Sequence, residues 1–594
     1  MSKLDASSRW GLLPVAVALG VLLALRLGAI AFHGGRGRER ALFGAVAAVA
    51  VIVVGVRMMG AFGVLSQDTL FGALFLATGA LFFVGRTRRI GVPWHRLVSL
   101  ETTPTALLAT VAVVVIAAAA YLLPVWQYDA LGYHLPFVNF ALESGSLAGV
   151  PEDVPYLSTY PHGVEHFYVA WRAMLPDDRL VDAAQVPFGL LGAAAVACLA
   201  RQFGARRDHA VAAGLLWMTL PAAFLQMPTN YIDVAVAALL LAASAFALAE
   251  PNVRNVLAAG IAIGLFLGSK PNAPIGSVLL FAVVVGRGWA SGRRSSLLAA
   301  AACVLFIGAE SYVVNFIRHG NPIWPVRLEL GPFSFPGNLA LHDVVESGPG
   351  AATLQGPLLL RLLRSWTAID APPAFDMRYG GLGLVFLAAL PFAVVVAIRR
   401  RSVALLAVVA ATLAAPDPSV ARYILAFPGV VLALGAVRVG ALGDRARYAV
   451  FGVLATVAAF GLVRAYPGLT GEGPALTAYT TMTESERLRA VGADRSQARF
   501  SDVLARLEPK ESTAYDGSFD LPYLAWPPDL SRRVQRIPDG VGPAEAARIV
   551  EDPLVGVLVV DTSSPVAAAA RKKEGGFTEL FHCATSSCVV FERL

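Results

Sequence analysis

Apolar runs of about twenty residues recur along most of this chain, separated by short polar or basic stretches, with centres near residues 20, 52, 77, 114, 192, 218, 240, 262, 281, 307, 390, 409, 430 and 456. Each is close to the ~20 residues that cross a ~30 Å hydrocarbon core as a helix. The pattern predicts roughly fourteen transmembrane helices. The first run, Leu12 to Phe32, is too long for a signal-peptide core and reads as a true span. From about Arg464 the pattern changes: "ESTAYDGSFDLPYL" and "VGVLVVDTSS" read as short buried strands, "PAEAARIVED" and "SPVAAAARKKEGG" as helices. The expected fold is mostly α: a polytopic bundle of about 12–14 helices over residues 1–464, followed by a small α/β domain over 465–594.

Composition agrees with this reading. Of 594 residues, 56% are hydrophobic and 15% charged, with a mean hydropathy of +0.63, which excludes a soluble globular class. Arginine orients the spans, because cytoplasmic loops carry the Lys/Arg excess. Arg86, Arg88, Arg89 and Arg96 mark one internal loop; Arg201, Arg206 and Arg207, then Arg287, Arg293 and Arg294, then Arg399 to Arg401, then Arg438, Arg445 and Arg447 mark others. The alternate loops are external, and the longest, residues 125–182, is rich in Asp and Glu. Counting back places the N-terminus outside, although Lys3, Arg9 and "HGGRGRER" are all basic. The net charge of +7 is spread over separate membrane loops, which is no nucleic-acid footprint. Cys583 and Cys588 flank a four-residue turn and suit a hairpin disulfide in an oxidising compartment, whereas Cys198 and Cys303 fall inside spans.

Candidate chemistry gathers in the first outer loop. In "WQYDALGYHLPF" Asp129 follows the fourth span by a few residues, where a carboxylate can act as a general base towards a hydroxyl within hydrogen-bond reach. The following "ALGYHLPFVNFALESGSL" has helical spacing and is expected to lie along the interface. A plainer reading makes Asp129 the cap of that helix, and Tyr133 and His134 belt residues at headgroup depth. Downstream, "YPHGVEHFYVAW" sets Glu165 beside His162 and His166, a possible ligand set for a divalent cation. Lys270 lies within an apolar run on the outer side, against the charge rule, and such a residue is a functional candidate by default. Asp233 and Glu310 also fall near or within spans; the bland expectation for them is helix-to-helix bonding.

"WQYDALGYHLPFVNFALESGSL" resembles the first outer loop of the polyprenyl-phosphate-sugar-dependent membrane glycosyltransferases, the GT-C superfamily that includes protein O-mannosyltransferases and the lipid A aminoarabinose transferase. "YPHGVEHFYVAW", "PTNYIDVAVAAL", "LGSKPNAP", "NFIRHGNPIWPV", "FDMRYGGLG" and "ARYILAFPG" follow in the order that group would have them, spanning residues 126–429 with the loop. The resemblance implies an inverting hexosyl- or pentosyltransferase in the cytoplasmic (inner) membrane, working at its outer face. The donor would be a polyprenyl-phosphate sugar and the acceptor a lipid, glycan or protein. Asp129 matches the acid that deprotonates or orients the acceptor. Lys270, Arg318, Arg378 and Arg422 are then candidates for meeting the lipid phosphate, with Tyr133, His134 and Glu165 as further substrate-binding residues. The chain departs from the pattern in having Ala130 where some members carry a second acid, and in having three extra spans before the loop. The competing readings are a lipid-linked glycan transporter or flippase, a polymer ligase, and a silent scaffold.

Overall fold

The computed structural model describes residues 11–594 except 33–36, 85–98, 331, 341–355, 370–379, 472, 492–499, 501, 505, 508–510, 573–575 and 584–585. Each of the fourteen apolar centres falls in a helix. Among the described residues seven helices are long and apolar enough to cross a membrane, from Leu12–Ala31 to Asp444–Leu469. Arg294–Gly308 and Glu310–His319 form a further pair bent by 64°. Asp233–Leu248, Val253–Leu267, Val403–Leu413 and Ala426–Val439 are shorter than the sequence pattern suggests. In Asp233–Leu248 the shortening has a clear cause: every residue from Val234 to Ala247 except Val236 is buried, and the preceding "PTNYI" leaves the helix to form a polar turn. A helix enclosed by other helices need not match the bilayer thickness.

Small residues set the closest helix approaches. A Cβ on Gly214 would meet the Ala193 carbonyl oxygen at 2.2 Å, and one on Gly308 the Gly264 carbonyl oxygen at 2.3 Å. In lipid, where apolar burial alone does not bring helices together, such backbone approaches supply the packing.

The loop after Thr103–Leu122 folds as a turn of π-helix, Ala130–His134, running into an α-helix, Leu135–Ser144, that ends at Gly145 in the left-handed conformation (φ 68°). After a short turn, Pro155–Ser158, the chain forms the helix Gly163–Ala173. The Leu135–Ser144 helix does not lie open on the interface as its spacing suggests, since every residue from Leu135 to Ala141 is buried. Its outer side is covered by the C-terminal region: Trp526 stacks edge-on against Phe140 at 4.7 Å, and Glu143 accepts hydrogen bonds from Trp526 Nε1 (2.8 Å) and the Val534 amide (3.2 Å).

Two antiparallel strands, β1 (Leu328–Leu330) and β2 (Phe333–Phe335), form a ribbon in the membrane-domain sequence. The C-terminal sheet has five strands, β3 (Ser512–Tyr515), β4 (Val534–Arg536), β5 (Val555–Asp561), β6 (Phe577–His582) and β7 (Cys588–Arg593), in the order β4-β3-β5-β7-β6. β4 and β5 run parallel to β3, whereas β7 pairs antiparallel with β5 and β6. Strand alternation divides the side chains between two faces. Leu558, Val560, Val589 and Phe591 pack against the helices Pro543–Glu551 and Pro565–Arg571. Val557, Val559 and Val590 face the other way and join the core of the helical bundle. Cys583 and Cys588 are bridged across the β6–β7 hairpin, with Cα atoms 5.3 Å apart.

Candidate active site

Asp129 occupies the cap position of the π-helical turn, but its side chain makes no capping hydrogen bond. Its carboxylate turns inward instead and accepts from Arg422 Nη1 at 3.2 Å. The same Nη1 donates to Asp233 Oδ2 at 3.2 Å, and the other oxygen of Asp233 takes Lys270 Nζ at 2.5 Å. Four residues from four separate stretches thus form one chain of alternating charge: Asp129, Arg422, Asp233, Lys270.

Local structure explains how each one arrives. Asp233 is the first residue of its helix, where a carboxylate suits the positive end of the dipole. Lys270 follows the break after Val253–Leu267, a helix that ends at Gly268. Arg422 stands in the 3-10 turn Ala421–Ile424 ahead of Ala426–Val439. The side chains of Arg422 and Asp233 are 5% and 3% exposed, against 24% for Asp129 and 22% for Lys270. The inner pair is therefore fixed and the outer two groups are open to a ligand. A buried guanidinium must be neutralised and hydrogen-bonded, which accounts for Asp129 leaving its cap.

Aromatic rings enclose the charges. Arg422 lies over the rings of Tyr231 (4.8 Å) and Tyr423 (4.9 Å), and Lys270 over Tyr423 (4.7 Å). The Tyr231 hydroxyl accepts from the Asp129 amide at 3.2 Å, and Tyr168 donates to the Tyr231 carbonyl at 2.5 Å. Tyr133 packs against Tyr156 at 5.6 Å and Tyr160 at 6.3 Å. Burial, reinforced by the Asp129 charge, pushes the Tyr133 phenol well above its ordinary value, so that it remains a donor. Tyr231 and Tyr423 are site residues that residue chemistry did not single out, although each stands within two positions of an ionic residue in a motif, "NYID" and "ARYI".

Of the predicted site residues, Asp129, Lys270 and Arg422 come together, and Tyr133 lies beside them. His134 and Glu165 form a buried pair just behind, with Nδ1 to Oε1 at 2.7 Å. Burial opposes ionisation of Glu165, but the hydrogen bond from His134 and the neighbouring His162, its Nδ1 3.6 Å away, prevail and hold its carboxyl well below the usual range. Arg318 does not join the cluster; it pairs with Glu152 at 2.9 Å, with both side chains exposed. Arg378 lies outside the described residues. Glu310 pairs with Arg57 at 2.5 Å, the helix-to-helix contact expected of it.

Glu165, His162 and His166 do not fit a divalent cation. Glu165 is held by His134 rather than His166, the His162 ring stacks on Phe137 (3.9 Å) with Nε2 on the Leu157 carbonyl (2.9 Å), and His166 stands edge-on to the same phenylalanine (5.6 Å). Neighbouring helix positions point their side chains in different directions, so Glu165 and His166 cannot share an ion. Among the described residues the ligand atoms that do converge belong to Glu101, Asp208 and His209. There Glu101 already takes His209 (3.1 Å), Arg206 (3.2 Å) and Arg447 (3.1 Å). Two guanidiniums fill the place of a cation, and the group ties three helix ends together. It sits just before the start of Thr103–Leu122 and Asp129 just after its end, about 30 Å apart along twenty residues of helix.

No protein-family model and no curated protein matches the chain. Solved structures do. The crystal structure of ArnT from Cupriavidus metallidurans bound to undecaprenyl phosphate aligns with a TM-score of 0.52 at 15% identity, over 82% of this chain and 98% of that one. The apo form of the same protein gives 0.51 at 14% identity, over 84% and 99%. The apo oligosaccharyltransferase of Archaeoglobus fulgidus aligns with a TM-score of 0.38 at 15% identity, over 82% and 74%. The chain is a multi-pass membrane protein with the fold of ArnT.

Proposed function

We propose that this protein is an inverting membrane glycosyltransferase that moves a sugar from a polyprenyl phosphate to a hydroxyl-bearing acceptor. The observation that carries the reading is the charge chain Asp129–Arg422–Asp233–Lys270, half buried and half open. In the reaction the acceptor oxygen attacks the anomeric carbon, its proton passes to Asp129, and the bond to the phosphate oxygen breaks, with inversion at carbon. The polyprenyl phosphate leaves with the electron pair. Such a leaving group needs positive charge near it more than it needs an acid, and Arg422 with Lys270 supplies that charge. Asp233 keeps both cations in place while the phosphate comes and goes. Binding of phosphate frees the Asp129 carboxylate from part of its Arg422 contact, making it a better base at the moment the donor is present.

Undecaprenyl phosphate bound to a protein of this fold supports a lipid-phosphate donor. Residues 1–464 act as the catalytic membrane domain and 465–594 as an extracytoplasmic cover. The bridged Cys583–Cys588 hairpin supports an oxidising, outer location for that cover. The arginines of the Glu101 group, at the other end of the Thr103–Leu122 span, support a cytoplasmic location for that end. We place the protein in the cytoplasmic membrane with its site facing out. Binding of undecaprenyl phosphate to purified protein in nanodiscs tests the reading. Wild type binds and Lys270→Ala binds at least about tenfold more weakly, as loss of a charge-assisted contact requires; equal affinity would remove the phosphate role of this cluster.

A further inference from the structure

The turn that carries Asp129 is roofed by the C-terminal domain. Tyr523, in the 3-10 turn Pro522–Ala525, belongs to one apolar cluster with Ala130, Leu131, Leu135 and Tyr231. The main-chain oxygen of Asp520, two residues before that turn, lies 3.3 Å from where a Cβ on Gly132 would stand. Packing between Tyr523 and the π-helical turn thereby holds Asp520 against the segment that carries Asp129, and Asp520 is exposed. The charges of both acids reach Tyr128: burial first, then Asp520 and Asp129, push its phenol up.

The two acids differ in one respect. Asp129 is paired with Arg422, whereas among the described residues no cation lies within ion-pair distance of the Asp520 carboxylate, and burial alone pushes it up. A carboxylate without a counter-charge at a site entrance repels anions over several ångströms and hydrogen-bonds hydroxyls.

We propose that Asp520 selects the acceptor by charge, admitting a neutral, hydroxyl-rich glycan and rejecting a phosphorylated or carboxylated one. The inference rests on the glycosyltransferase reading, since it assigns Asp520 to the acceptor side of that site. The donor phosphate is met by Arg422 and Lys270 beneath the rim, so the negative rim and the positive floor sort the two substrates. This arrangement separates acceptor choice from donor binding and places it in the C-terminal domain.

The test compares binding of decyl β-glucoside and decyl β-glucoside 6-phosphate to the full-length protein in nanodiscs at low salt. Wild type binds the neutral probe about tenfold more tightly, the order expected for one like-charge contact at a half-exposed site. Asp520→Asn narrows that ratio about threefold or more, and Asp520→Glu keeps it. Because Asp520 is exposed, both variants fold; matching thermal melts check this. A ratio near one in wild type, a ratio unchanged in Asp520→Asn, or no binding of either probe would overturn the assignment. Undecaprenyl phosphate binding to wild type and Arg422→Ala is measured alongside. Its outcome bears on the donor site alone, so failure of that reading and failure of the Asp520 assignment are told apart.

Discussion

Asp129 and Arg422 are 293 positions apart and meet at 3.2 Å, the carboxylate half open and the guanidinium buried. Arg422 holds Asp233 with the same nitrogen. One guanidinium therefore fixes both carboxylates and lies over two tyrosine rings. A lysine carries the same charge as a compact ammonium, without the planar fork that serves several partners at once. Arg422→Lys is expected to retain folding while lowering the transfer rate at least about a hundredfold, the scale of about 3 kcal/mol in transition-state stabilisation. Steady-state turnover with a lipid-linked sugar, beside a thermal melt, checks it.

A backbone contact holds Lys270 in position. The Gly163 amide donates to the Gly268 carbonyl at 2.7 Å, and a Cβ on Gly163 would stand 2.6 Å from that oxygen. Because the obstructing atom is backbone, it cannot rotate away. Gly163→Ala is expected to cost about 1–3 kcal/mol of stability, as overpacking does. It is also expected to weaken undecaprenyl phosphate binding by shifting the segment that carries Lys270. Thermal melting with a binding isotherm reads both effects.

Glu165 gives the fold a pH dependence. Its carboxyl is held below the ordinary range by His134 and His162, so the folded state binds that proton less readily than the unfolded chain. Its contribution to stability is complete above the ordinary carboxyl pKa of about 4.3 and is lost as pH falls from there through the depressed folded value. Wild type is therefore expected to lose melting temperature below about pH 4–5. Glu165→Gln, which leaves His134 without its buried partner, is expected to be destabilised by about 3–5 kcal/mol near pH 7 and to show a flatter acid limb. Melting curves from pH 3 to 8 for both proteins decide it; parallel acid limbs would contradict the assignment.

How much of this was legible in the sequence depends on the kind of signal. Length and apolarity placed all fourteen helices, because burial in lipid or in a bundle writes the same pattern. They could not separate full spans from enclosed helices such as Asp233–Leu248, where the difference lies in the neighbours. Lys270 was visible because a lysine in an apolar outer-side run has few bland explanations. Asp233 was visible as a charge but not as the group that bridges Lys270 and Arg422, since that role exists only in three dimensions. The histidines near Glu165 misled for a related reason. Sequence proximity suggested His162 or His166 as its partner; the fold brings His162 to 3.6 Å but supplies the hydrogen bond from His134, thirty-one residues away. Burial of the Leu135–Ser144 helix was equally hidden, because its covering residues, Trp526 and Val534, belong to the C-terminal domain.

The most direct measurement is release of free polyprenyl phosphate from a panel of lipid-linked sugars by purified wild type and Asp129→Asn, with matched thermal melts. Wild type is expected to turn over at least one donor, and the equally folded variant to be slower by about a hundredfold or more, the range for a lost general base. Equal turnover by the two proteins, or no turnover by either while both bind the donor with the same affinity, would contradict this expectation.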